Sequence, residues 1–355
     1  MRALIVSTLL VAFGVGGCGA EPSDVSDETA AVTNAKRLRY TQVDITAGPE
    51  NVDGWFPRGL SAQGEAIGQA FDCNEDFTVC SQSVLKRESN GRFTVLAENF
   101  FANDVNSRGD AGGCTFDPVT FLGQAGIVRV NGTLELIPPL PGEMSSCVSK
   151  LSDSGVAFVT STDPNFVASV YVFDHGKIRP FPVLNVTVED INDRAQVAGT
   201  QGEPPDNRAY RFDARTQTTT ILQPVPPDPV SFGLGINRQG EVLGFSFDFD
   251  GIVQRTGKWN RRNEFETSLV GGSGNPAFPT IINSVTWNEQ GLIVASATSD
   301  GNTYLIPSPG VRLNLADLVK NGPAPSPLQV LAVNDHADIV AASLADGSAF
   351  LFRRE

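Results

Sequence analysis

Along most of this chain, hydrophobic positions alternate with polar or small ones in short runs, and the alternation breaks at regular intervals. The clearest case is Leu234 to Gly244. Apolar Ile236 enters a four-residue turn, Asn237-Arg238-Gln239-Gly240, and Val242 and the small Gly244 then fall on alternate positions. Such alternation is that of a strand with one buried face. Asn opening and Gly closing four residues suit a type I turn, because the Asn side chain bonds the backbone ahead of it.

The stretch recurs seven times, opened by Ser61, Asn106, Ser152, Asn192, Asn237, Asn288 and Asn334 and closed by Gly64, Gly109, Gly155, Ala195, Gly240, Gly291 and Ala337. An apolar residue always precedes the opener, from Leu60 and Val105 to Trp287 and Val333. Four beyond the closing residue stand Gly68, Gly113, Val159, Gly199, Gly244, Ala295 and Ala341, so only Val159 is not small. We ascribe the small residue to blades that taper towards an axis. Alanine at two closing positions predicts a negative φ there.

Successive openers lie 40 to 51 residues apart, a period that belongs to repeat architectures built from one small sheet per repeat. Each copy reads as four strands. Strand A precedes the turn (Asn185 to Ile191, Leu328 to Val333) and strand B follows it (Glu241 to Phe245). Strand C comes after a variable loop (Val170 to Phe173, Ala209 to Phe212, Ala349 to Phe352), and strand D after a tight turn such as Asn131-Gly132. The fold class predicted is all-β: a seven-bladed β-propeller of four-stranded antiparallel blades. A β-sandwich or β-helix is the alternative. The last copy lacks strand D, whereas a spare strand, 39–45, precedes the first copy. Because an unpaired edge invites aggregation, 39–45 should close the last blade by pairing antiparallel with 348–353.

Ile236-Asn237-x-x-Gly240-x-Val242-x-Gly244, followed by aromatic strands such as Arg208-Ala209-Tyr210-Arg211-Phe212 and Ser348-Ala349-Phe350-Leu351-Phe352, resembles the bacterial HAF-type extracellular repeat. The resemblance spans nearly all of 50–355, although the family's His-Ala-Phe is nowhere intact. It implies a secreted or surface propeller and transfers no catalytic residue.

The N-terminus has a short basic start and an apolar run, Leu4 to Val15, followed by Val15-Gly16-Gly17-Cys18. This reads as a secretory signal and resembles a lipobox with Cys18 as the lipidated residue. Ordinary cleavage after Ala20 is the alternative. The expected organisation is a signal peptide at 1–17, a flexible tether at 18–38 and a propeller at 39–355. A monomer anchored in the bacterial envelope follows, with Gly19 after the cysteine pointing to the outer membrane.

Four further cysteines in an exported chain predict two disulfides. Cys73–Cys80 and Cys114–Cys147 are the favoured pairs among three connectivities. Strand directions put all four cysteines on the face opposite the Asn turns. A formal net charge of −14 argues against nucleic acid as partner.

The B–C loops carry Asp72, Glu75, Asp76, Asp117, Asp163, Glu203, Asp206, Asp248, Asp250, Asp300 and Asp346, with no Lys or Arg. The turn face instead gathers Arg108, Arg194, Arg215, Arg238, Arg261 and Arg262. Asp serves turns well, but the summed field makes the B–C face the candidate binding surface for a cationic protein or polysaccharide partner, or for loosely held Ca²⁺. The basic face would then lie towards anionic lipid.

No catalytic residue or metal set is assigned. His175 and His336 sit in turns, neither a G-x-S-x-G elbow nor a P-loop occurs, and Asp72-x-Asn74-x-Asp76 lacks the Gly and Glu of a calcium loop. The expected function is a non-catalytic binding module. The alternative is a carbohydrate-active or other hydrolase or lyase using carboxylates at the channel.

Overall fold

In a computed structural model, the described residues are 38–50, 52–74, 80–115, 117, 120, 122–182, 186–203, 205–250, 253–272, 282–297 and 300–355. The expected signal peptide at 1–17 and all of the expected tether at 18–38 but Leu38, together with Glu75 and Asp76, lie outside them. The described strands form seven four-stranded antiparallel sheets, six of which take four consecutive strands. The only helical element among the described residues is the 3-10 turn Leu315–Asp317.

The seventh sheet closes the ring as expected. The N-terminal strand Tyr40–Asp44 pairs antiparallel with Ala349–Arg354, Tyr40 opposite Arg354 and Asp44 opposite Phe350. Blade seven thereby gains its fourth strand from the other end of the chain. Tyr40 and Phe352 are both fully buried, in an apolar cluster with Leu292 and Leu305 of blade six. Leu351 belongs to a different cluster, with Trp55, Leu60 and Leu85 of blade one. Alternate residues of one strand thus serve the two neighbouring blades, as the period of two requires.

The innermost strands, in blade order, are Gly54–Leu60, Phe100–Val105, Ser145–Leu151, Val186–Ile191, Val230–Ile236, Ile282–Trp287 and Leu328–Val333. All but the sixth carry a β-bulge three residues before the turn opener, at Arg58, Asn103, Ser149, Glu189, Leu234 and Leu331. At the four glycines of the strand-B column the close backbone of the bulged strand, rather than a taper, accounts for the small residue, whereas Val159 fills the same position in the bulged third blade. A Cβ on Gly68 would lie 2.1 Å from the Phe56 carbonyl oxygen, and one on Gly113 1.8 Å from that of Phe101. Glycine is needed where the neighbouring strand's backbone comes close.

The turns also differ from expectation. Every closing residue is left-handed, including Ala195 (φ 60°) and Ala337 (φ 66°). The closing N–H bonds the opener's carbonyl (Ala195 N to Asn192 O, 3.0 Å), and the opener's N–H bonds the residue after the closing one (Asn192 N to Gln196 O, 3.0 Å). This is a type I turn followed by a left-handed residue, the common three-residue hairpin loop. The ladder on both sides forces alanine into a conformation it ordinarily avoids.

Each opener's side chain helps hold its hairpin. Asn334 Oδ1 accepts the Asp338 N–H at 2.8 Å, and Ser61 Oγ accepts the Glu65 N–H at 3.1 Å. Asn has a further capacity, because its amide can also donate. The Nδ2 of Asn106, Asn192, Asn288 and Asn334 donates to the opener carbonyl of the next blade, respectively Ser152, Asn237, Asn334 and Ser61, at 2.9–3.0 Å. The last of these bonds joins blade seven to blade one.

The channel mouth as candidate functional site

The ring leaves a central cavity of about 360 Å³ that opens on the turn face. The bulges of blades four, five and seven place two consecutive residues towards the axis, so the wall includes Glu189 with Asp190, Leu234 with Gly235, and Leu331 with Ala332. Arg58, Asp104, Lys150 and Trp287 complete its charged and aromatic lining, and Asp153, Asp193, Arg238, Glu289 and Asp335 form the rim.

Two wall carboxylates rivet the blades together. Asp104 Oδ2 accepts the N–H of Leu151 in blade three at 2.7 Å. Asp190 Oδ2 accepts that of Ile236 in blade five at 2.8 Å, and its Oδ1 accepts that of Ile191 at 2.8 Å. Burial pushes Asp190 up to about 7, reinforced by the Asp104 charge and opposed by these N–H groups and Lys150. Burial raises Asp104 too, with Lys150 again opposing.

The rim repeats one device. Asp153 Oδ1 accepts the Ser107 N–H (2.8 Å), Asp193 Oδ1 that of Ser154 (2.6 Å), Glu289 that of Arg238 (3.2 Å) and Asp335 Oδ1 that of Glu289 (3.0 Å). Each acid stands one residue after an opener and bonds the previous blade. At blades three and four the second oxygens also take a guanidinium: Arg238 pairs with Asp153 Oδ2 and, at 3.5 Å, with Asp193 Oδ2. Neither Glu289 nor Asp335 has a cationic side chain within ion-pair distance among the described residues. Burial holds Glu289 above the usual carboxylate range, with Arg238 opposing.

The turn face is therefore not a block of basic charge. Arg108 pairs with Asp110 at 3.5 Å, Arg215 with Asp174 at 3.1 Å, and Arg238 with the rim. On the opposite face, several candidate aspartates hold their own loops. Asp163 Oδ1 accepts from Asn165 N and Val167 N, both at 2.8 Å, and Asp248 Oδ1 from Asp250 N at 3.0 Å. Asp300 accepts from Asn302 N and the Tyr304 hydroxyl, Asp346 from Ser348 N, and Asp117 from Thr120 N. The Val167 and Ser348 N–H groups hold Asp163 and Asp346 below the usual range. Asp72, Glu203, Asp206 and Asp250 are exposed. No group of three metal-ligating side chains occurs among the described residues.

Both favoured disulfides are present, Cys73–Cys80 within blade one and Cys114–Cys147 between blades two and three. His175 takes a left-handed turn conformation (φ 50°) beside Asp174. Apart from Arg238, the mouth residues were not singled out from the sequence, although its acids other than Glu189 stand in two fixed columns of the repeat, two before and one after the opener.

No family model and no curated protein matches the chain. Among solved structures it is similar to the β-propeller domain of the Trilobed protease from Pyrococcus furiosus (TM-score 0.57, 9% identity, 89% of this chain and 95% of that one). It is also similar to a streptogramin B lyase (TM-score 0.50, 10% identity, 89% and 98%). A third similar structure, Pyrococcus horikoshii acylaminoacyl peptidase, is matched over 92% of this chain and 53% of its own (TM-score 0.57, 8% identity). At these identities the likeness is one of fold: the chain is a seven-bladed β-propeller, and the propeller fold is one that hydrolases and a lyase share.

Proposed function

We propose that this propeller is a non-catalytic binding module, held in the cell envelope through a lipid on Cys18, whose channel mouth takes an ammonium or guanidinium group. The observation that carries this reading is Arg238. A guanidinium already lies between Asp153 and Asp193, while Glu289 and Asp335 on the same rim have no such partner among the described residues. The Arg238 N–H bonds both Glu289 oxygens and the Glu289 N–H bonds one oxygen of Asp335, which preorganises the ring. Exposed acids of the B–C loops, Asp72, Asp206 and Asp250 among them, add a weaker, salt-screened attraction for a basic protein or polysaccharide partner.

Hydrolase or lyase chemistry at the channel is the second reading, favoured by the raised Asp190. Against it, both Asp190 oxygens already accept backbone hydrogen bonds, as a structural rivet would. The two readings separate in one experiment on the full chain. Calorimetric titration with an arginine-rich peptide should show saturable binding that weakens about tenfold or more in Glu289→Gln/Asp335→Asn. No binding, together with hydrolysis of a screened polysaccharide or ester that Asp190→Asn abolishes, would replace the proposal with the enzyme.

A further inference from the structure

Where the ring closes, two arginines share one seam. Arg87 ends the third strand of blade one (Cys80–Arg87), and Arg353 lies near the end of the closing strand of blade seven (Ala349–Arg354). Leu85 and Leu351, each two residues earlier, meet in the apolar cluster between these blades, beside Val43 and Phe93. Because side chains two apart share a face, both arginines project into the same seam, at the turn-face end of that cluster.

Like charges brought together in a half-buried seam call for an anion, and the described residues do not supply one. Among the described residues no carboxylate lies within 4 Å of either guanidinium, and neither side chain has a hydrogen-bond acceptor. Arg353 Nε is sealed from solvent without a partner. Nearby acids are engaged elsewhere. Glu88 holds Arg92 at 2.8 Å, Glu355 holds Lys320 and the Thr41 hydroxyl, and Asp44 accepts the Thr46 N–H. Burial lowers the Arg87 pKa, the Arg353 charge lowers it further, and Asp44 opposes from a distance. Leaving a buried N–H unmet costs about 1–3 kcal/mol, and more for charged groups.

We propose that the seam between the first and last blades, at Arg87 and Arg353, is a binding site for a phosphoryl oxyanion. Two guanidinium forks from facing walls match the oxygens of a phosphate better than a point charge would. The N-terminal segment enters beside it, since Thr41 pairs with Arg353. Leu38, three residues earlier, packs against the neighbouring blade six, and the lipid proposed on Cys18 would bring phospholipid headgroups near this end of the ring as one source. Free phosphate is the other. This inference is independent of the channel mouth and its ligand.

The full chain would be melted in inorganic phosphate and in chloride of equal ionic strength, and pelleted with two kinds of phosphatidylcholine vesicle. One kind carries phosphatidic acid and the other the same surface charge as oleate. We expect phosphate to raise the melting temperature saturably, or phosphatidic acid to retain more protein than oleate. A phosphate effect alone assigns a free anion, a vesicle effect alone a lipid headgroup, and both together a site open to either. Arg87→Gln and Arg353→Gln should each weaken the responding arm about tenfold or more. In chloride both variants should melt no lower than the parent, because a like-charge contact has been removed. Arg353→Lys, which keeps the charge and loses the fork, should bind with intermediate strength. Indifference of the parent to both probes, unchanged binding by the Gln variants, or their destabilisation in chloride would each overturn the proposal.

Discussion

Replacing Asn334 tests whether the openers lock the ring as well as their own turns. The side chain is 3% exposed and does two separable things. Its Oδ1 accepts the Asp338 N–H at 2.8 Å, and its Nδ2 donates to Ser61 O, 3.0 Å away in blade one, and to Asp338 Oδ2 at 3.2 Å within its own hairpin. Asn334→Ala loses both. Orphaning the Asp338 N–H costs about 1–3 kcal/mol, and the inter-blade bond contributes about 0.5–1.5 kcal/mol, a sum of roughly 2–4 kcal/mol. The inter-blade share stays small because Ser61 O also accepts from Gly64 N at 3.0 Å. Asn334→Ser should lose only about 1 kcal/mol, since serine at Ser61 already fills the acceptor role. Asn237 is the control. Its Oδ1 accepts the Glu241 N–H, but its amide goes to Glu241 Oε2 within its own hairpin. Urea unfolding should rank the losses as Asn334→Ala, then Asn237→Ala, then Asn334→Ser. Equal losses for the two alanine variants would refute a ring-closing role for the amide.

Three more outcomes can be stated. Loop-closure entropy gives about 3.8 kcal/mol for a closed loop of some 34 residues and about 2.5 for one of some 8. With separations of 33 and 7, replacing Cys114 and Cys147 by alanine should therefore lower unfolding free energy by about 1 kcal/mol more than replacing Cys73 and Cys80; the reverse order in urea titrations would contradict the unfolded-state account. The folded chain keeps a proton on Asp190 up to about pH 7 while the unfolded chain releases it near 3.9, so folding binds more protons between these values and this carboxylate's contribution falls as pH rises through them. Asp190→Asn should thus gain on the parent between pH 5 and pH 8, and an identical stability difference at both values would rule out the raised pKa. Phe166 sits at φ 62° with 80% of its surface exposed, so Phe166→Gly should raise stability by about 0.5–1 kcal/mol, strain relief exceeding glycine's entropy; a lower melting temperature would show that the ring has a packing role.

What could be read from the sequence was whatever local chemistry dictates. Asn237 bonding its own turn and a spare strand facing a strandless last copy are matters of neighbouring residues and edge counting, so blade number and closure followed. The left-handed Ala195 and Ala337 did not, because their conformation is imposed by the ladders around the turn rather than by alanine. The bulges were equally hidden. Arg58, Asn103 and Glu189 have nothing in common as side chains, and only the Cβ-free glycines opposite, such as Gly68 and Gly113, hinted that backbone comes close there. Charge misled for a related reason. Counting Arg108, Arg215 and Arg238 as a basic face ignored the acids that folding sets beside them, Asp110, Asp174 and Asp153.

The two columns of the repeat that face the axis explain why the mouth is not symmetric. Two residues before the openers, blades one to seven carry Gly59, Asp104, Lys150, Asp190, Gly235, Thr286 and Ala332. The charges fall on blades two to four, where Lys150 lies between two raised carboxylates and lowers the pKa of both. One residue after the openers the sequence is Ala62, Ser107, Asp153, Asp193, Arg238, Glu289 and Asp335. Arg238 reaches back from blade five and spends its charge on blades three and four. Rim acid without a cationic partner among the described residues therefore concentrates on blades six and seven, next to Trp287 on the cavity wall. A cation entering the mouth would meet Glu289 and Asp335 with an indole nearby, an arrangement that favours ammonium and guanidinium over a bare metal ion. The fold needs the openers to repeat, but it leaves the columns beside them free to differ from blade to blade, and that freedom gives the channel mouth its one-sided chemistry.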